Sequence, residues 1–108
     1  MNNANVFIDV DLTLVDHNQR LMPGAQEGLQ KLIDKGCHLF LWSTAGIPHA
    51  KAMAMEHKLE HFFEGYAAKP DIIIDDNPAS VLEPFVFNPS QEDSWQSMAE
   101  SIIDKHID

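Results

Sequence analysis

Asp9 and Asp11 stand two residues apart, with Thr13 two further on, directly after the apolar run Val6-Phe7-Ile8. A carboxylate beside a buried strand is unfavourable unless a cation or a reaction requires it there. A divalent metal facing a carboxylate nucleophile would use both acids. Two carboxylates ~4 Å apart repel by roughly 4 kcal/mol at an effective dielectric of ~20, so positive charge must accompany them. Further polar residues end later apolar runs. Ser43-Thr44 follows His38 to Trp42, and Asp75-Asp76 follows Ile72-Ile73-Ile74, with Lys69 a few residues earlier.

These residues need elements to position them. The pattern predicts a first strand over about Asn5 to Asp9 and a turn-rich loop through Asp16-His17-Asn18. A helix follows, with Pro23 in its first turn, Ala25, Leu29, Leu32 and Ile33 at helical spacing, and Gly36 as its stop. His38 to Trp42 reads as a second strand, and Pro48 opens a helix that continues to about Lys58. Phe62 to Ala67 is a short third strand, and Ile72 to Ile74 a fourth. Pro84 to Phe87 is a fifth, placed at the sheet edge by its flanking prolines. Ser90 to Asp93 resembles a capping pair before the amphipathic stripe Trp95, Met98, Ala99, Ile102 and Ile103.

Apolar strands alternating with helices imply a mainly parallel five-stranded sheet covered on both faces, a three-layer α/β/α Rossmann-like arrangement. In such sheets the ligand crevice lies beyond the carboxyl ends of the strands. Asp9 and Asp11, Ser43 and Thr44, and Asp75 and Asp76 all fall at those ends. Lys69 is expected either at a strand edge or reaching over from a loop. Residues remote in sequence would thus meet in one crevice.

The chain has 108 residues, which suggests one domain over 1–108, and a hydrophobic fraction of 44% that is ordinary for a globular protein. Its formal charge of −10 argues against nucleic acid or anionic membrane as the main partner, since both reward clustered Lys and Arg. A single cysteine, Cys37, cannot form an intramolecular disulfide. With no early apolar run like a signal peptide and none long enough to span a bilayer, a cytoplasmic location is expected.

Asp9-Val10-Asp11-Leu12-Thr13-Leu14 matches the DxDxT signature of the haloacid dehalogenase (HAD) superfamily, and the chain resembles a phosphatase of that superfamily over nearly its whole length. Val15 to Ala25 resembles the family's flap hairpin. Ser43 matches its second motif, Lys69 its third, and Asp75-Asp76 its terminal acidic motif. The resemblance implies a Mg²⁺-dependent phosphomonoester hydrolase working through an aspartyl-phosphate. Asp9 would be the nucleophile, and Asp11 the general acid and then the general base. Ser43 would bind a phosphoryl oxygen, and Lys69 would offset its charge. Asp9, the Asp11 carbonyl and Asp75, with Asp76 as second candidate, would hold the metal. The resemblance also implies a phosphorylated small molecule or a phosphoprotein as substrate.

Several of these residues carry other interpretations. Ser43 could cap the following helix and leave the phosphate to Thr44. Lys69 could be a solvated loop lysine, Asp76 could cap a turn opened by Pro78, and His49 could be exposed or packed rather than at a substrate. His57-Lys58-Leu59-Glu60-His61 matches the H-x-x-E-H pattern of inverted zinc proteases, but a helix ending near Lys58 would separate its imidazoles. Met53 and Met55 read as core or interface filler.

The chain departs from the family at Leu12, where many members have Gly. It also lacks a cap insertion, which places it with the minimal, capless members. Their open sites take macromolecular substrates or are closed by a neighbouring subunit, and a small core also favours a homo-oligomer. A binding or regulatory module that keeps a metal and phosphate site with little turnover is the alternative function. Asp11 counts against a dehalogenase, which lacks the second acid, and the missing cap counts against a mutase.

Overall fold

The computed structural model describes residues 1–77 and 85–108. Three strands form a parallel sheet in chain order: β1 (Asn5–Asp9), β2 (His38–Ser43) and β3 (Phe63–Ala68). Between them run α1 (Ala25–Asp34) and α2 (Ile47–Glu56), and α3 (Trp95–His106) ends the chain. In the β1–β2 register Asn5 lies opposite His38 and Asp9 opposite Trp42; in β2–β3, Ser43 lies opposite Ala68. The carboxyl ends of all three strands are therefore level, and the residues that follow them share one rim.

Local chemistry accounts for the helix ends. Gly36, at φ 83°, takes the left-handed conformation past the end of α1, where the Lys35 and Cys37 amides donate to the Leu32 carbonyl and Gly36 donates to Ile33. Pro48 lies in the first turn of α2, as its missing donor allows. Ser94, rather than a Ser90–Asp93 pair, caps α3 by accepting from the Ser97 amide at 3.0 Å. Asn88 uses its side chain to cap the separate short turn Pro89–Gln91.

Along the strands, Ile8, Leu39 and Leu41 are buried, and they alternate with Phe7, Phe40 and Trp42, which are exposed or half-buried. The buried face joins Leu29 and Leu32 of α1 and Met53 of α2 in the core cluster, and α3 packs against α1. That crossing is close. A Cβ on Gly28 would stand 2.7 Å from Cε3 of Trp95 and 3.1 Å from its carbonyl oxygen, so only glycine fits there. On the other face the Phe7 ring stacks on Phe40 and tilts against Trp42, each at 4.9 Å between centroids. Cys37 is buried in the core and burial pushes its thiol up, which removes it from nucleophilic chemistry.

The expected five-stranded, three-layer sheet is not what forms; among the described residues there are three strands and three α-helices. Ile72, Ile73 and Ile74 lie outside the sheet and are 84%, 54% and 97% exposed. The reason is the connection. Only Lys69, Pro70 and Asp71 separate β3 from this run, whereas a parallel neighbour needs a crossover of about a dozen residues to return the chain to the start of the sheet. The expected fifth strand begins at Pro84, outside the described residues, and Phe85–Phe87 forms no ladder. The Phe85 and Phe87 rings meet His106 edge-on instead, at 4.5 and 5.7 Å. The expected strand at Ile72 to Ile74 rests on apolar character without a connection able to deliver it. Among the described residues, no helix is long and apolar enough to cross a membrane.

Candidate active site

β1 delivers Asp9 at its last position, and the chain then coils tightly. The Val10 carbonyl accepts from the amides of Thr13, Leu14 and Val15, and Leu12 N–H donates back to Val15 at 2.8 Å. Asp11 bridges to Val15, which pairs antiparallel with Leu21, so the segment doubles back as a small flap before α1. At the flap tip Asp16 accepts from the Asn18 and Arg20 amides at 2.8 and 3.0 Å. The Arg20 hydrogen bond above all holds the Asp16 carboxyl below its ordinary value. This tie is therefore complete above the usual carboxylate range and is lost as pH falls through the lowered value.

Leu12 takes φ 63° within this coil, in the left-handed region that favours glycine, and its side chain is 63% exposed. Leu12→Gly should remove the steric penalty and forfeit little burial, for a net gain of about 0.5–1 kcal/mol after glycine's extra chain entropy. Urea unfolding measures this, and a loss of stability would contradict the turn geometry. Leu12 also lines a groove of about 250 Å³ with Met22, Pro23, Pro89 and Trp95, and Asp11 is not among its lining residues. A larger depression of about 720 Å³ lies between α1 and α3, among Lys31, Lys35, Glu100 and Asp104, apart from these acids.

Two further strand ends complete the rim. Ser43 closes β2 and is 1% exposed; its Oγ accepts from the Ala45 amide at 3.0 Å, and its carbonyl accepts from Lys69 N–H at 3.0 Å. Ser43 thus closes the turn before α2 but does not cap the helix, whose N-cap is Gly46 without a side-chain hydrogen bond, while Thr44 next to it is exposed. Lys69 follows β3 directly. Its Nζ lies 3.9 Å from Asp9 Oδ2 and 5.9 Å from the Trp42 ring centroid, so it belongs to the rim and is not a solvated loop residue. Asp9 and Lys69 are both about one-third exposed, and such a pair contributes under ~1 kcal/mol to stability. It places a cationic side chain beside the Asp9 carboxylate at the rim.

One residue of this site was left out of the expected set. His49, in the first turn of α2, places Nε2 3.2 Å from Asp11 Oδ2 and 3.4 Å from Oδ1. The signal was its place: a polar side chain in the first turn of the helix after a strand end faces the same crevice as that end.

Asp75 and Asp76 follow the exposed run Ile72 to Ile74. Asp75 accepts from the Asn77 amide at 2.8 Å, so it is Asp75, not Asp76, that ties the local turn; Pro78 lies outside the described residues. Both acids are exposed. Among the described residues no three His, Cys, Asp or Glu side chains come close enough to share a metal ion. Of the expected set, Asp9 and Asp11 stand at the rim, and Asp75 and Asp76 follow a run that lies outside the sheet. Asp9 and Asp11 supply oxygen donors of the kind that Mg²⁺ takes.

The histidines of the H-x-x-E-H run go separate ways. α2 stops at Glu56, His57 Nε2–H donates to the Gln19 carbonyl at 3.0 Å, and the His61 ring lies 4.2 Å from Phe62. What the rim can do is present a carboxylate paired with an ammonium group, and beside it a second carboxylate held by an imidazole. No family model matches this chain, and no curated protein matches it in sequence.

Proposed function

We propose that the protein is a phosphomonoester hydrolase that works through an aspartyl-phosphate, as its resemblance to HAD phosphatases implies. The observation that carries this is the meeting of Asp9, Asp11 and Lys69 at one rim from separate segments, with Lys69 3.9 Å from Asp9. An Asp9 oxygen attacks phosphorus, and the P–O bond to the leaving group breaks. Asp11 gives its proton to the departing oxygen. The same Asp11 then takes a proton from water, whose oxygen attacks phosphorus, freeing phosphate and Asp9. One carboxylate cannot serve both roles, since the nucleophile must be ionised while the acid carries a proton. Lys69 offsets the phosphoryl charge, and the exposed Thr44 hydroxyl, rather than the buried Ser43, meets a phosphoryl oxygen.

Mg²⁺ is the proposed cofactor, the substrate a phosphorylated small molecule or phosphoprotein, and the cytoplasm the proposed location. A homo-oligomer, in which a neighbouring copy would cover the capless rim, belongs to the same proposal. One observation favours the second possibility, a phosphate-binding regulatory module with little turnover: the third acid is missing from the group among the described residues. Steady phosphate release from p-nitrophenyl phosphate in the presence of Mg²⁺ is the expected result. Binding of aluminium fluoride without turnover would favour the module instead.

A further inference from the structure

We propose that His49 is the positioning residue for Asp11, holding one carboxylate oxygen so that the other is aimed at the reacting oxygen. This rests on the phosphatase function above and adds a residue to it. The contact joins positions 38 residues apart, so it is made by the fold and not by chain proximity. Both ends are fixed. On one side Gly46, at φ 99°, turns the chain into α2, Pro48 restricts the first turn, and the fully buried Ala50 locks that turn against the core. On the other side Asp11 sits between the end of β1 and the strained Leu12. The His49 side chain is 23% exposed and that of Asp11 50%, so the ring is the more sheltered partner and the carboxylate the more accessible one.

Nε2 lies within reach of both oxygens and nearer to Oδ2, at 3.2 Å against 3.4 Å, so donation to Oδ2 leaves Oδ1 to carry the proton. That oxygen first gives its proton to the leaving group and later receives one from water. A carboxylate free to rotate would reach this orientation only part of the time, and misplacement of a catalytic group by about 1 Å costs on the order of a hundredfold in rate. His49 itself exchanges no proton in this scheme.

The test compares two esters by kcat/KM, which reads only as far as formation of phospho-Asp9. β-Glycerophosphate has an alkoxide leaving group that needs a proton, whereas p-nitrophenolate leaves without one. His49→Ala should lower kcat/KM for β-glycerophosphate by about thirtyfold and for p-nitrophenyl phosphate by less than about threefold. The urea midpoint should not move. His49→Gln, which keeps an N–H donor, should recover part of the loss and also covers the case in which His49→Ala does not fold. Asp11→Asn should show the same leaving-group bias, larger. Equal losses for both esters, or no loss, would overturn the role of His49 alone. A wild-type chain that hydrolyses neither ester would overturn the phosphatase function and this assignment with it.

Discussion

Asp9→Asn should abolish phosphate release, by at least about a thousandfold, while leaving the fold intact. An amide oxygen is far too weak a nucleophile to replace a carboxylate at phosphorus, and no neighbouring group stands in the same position at the end of β1. The substitution is nearly isosteric. What it removes from the folded state is the contact to Lys69 at 3.9 Å, itself about one-third exposed, so the unfolding free energy should move by less than ~1 kcal/mol. Acid quenching during turnover of a phosphate-labelled ester should leave label on wild type and not on the variant. Turnover near the wild-type level, with a cooperative unfolding transition retained, would remove Asp9 from the chemistry.

The largest effect on stability is expected at Trp95, the first residue of α3. The side chain is 3% exposed, its ring lies over the bare backbone of Gly28, and Nε1–H donates to the Thr13 carbonyl at 3.0 Å. Trp95→Ala should destabilise by about 3–5 kcal/mol through the cavity alone. A further ~1 kcal/mol follows from the Thr13 carbonyl losing its donor. Against a typical total of about 5–15 kcal/mol this leaves little margin, so the urea midpoint should fall steeply. Trp95→Phe keeps much of the packing and loses the hydrogen bond, and should cost about 1–2 kcal/mol. Because Thr13 lies two residues from Asp11, the Phe variant should also loosen the coil that carries the acid. A loss under 1 kcal/mol for Trp95→Ala would mean that α3 does not dock on α1 as described.

The first 68 residues were largely legible from the sequence, and the physical reason is their connections. Each apolar run from Asn5, His38 and Phe63 is separated from the next by a helix long enough to return the chain, so apolar character sufficed to place all three strands. The residues at their ends, Asp9, Asp11, Ser43 and Lys69, followed as a matter of register. Ile72 to Ile74 misled because three isoleucines look the same whether or not the preceding link can cross the sheet, so Asp75 and Asp76 do not stand at a strand end. Ser43 shows a subtler limit. Its position at the strand end was right, but whether its hydroxyl serves the backbone or a ligand depends on the turn that follows, and here the Ala45 amide claims it. His49 was weighed only as a substrate contact or a bystander, since a pairing with Asp11 requires knowing that the first turn of α2 faces the coil after β1.

Strand order in the sheet repeats chain order, and this bears on how the molecule assembles. Each new strand docks on the one made just before it, so the entropy of closing the intervening loop stays modest at every step. Only α3 must travel back over the whole of this unit to reach α1. Docking of α3 is thus the long-range step, and through the Trp95 bond to Thr13 it also tightens the coil that carries Asp11.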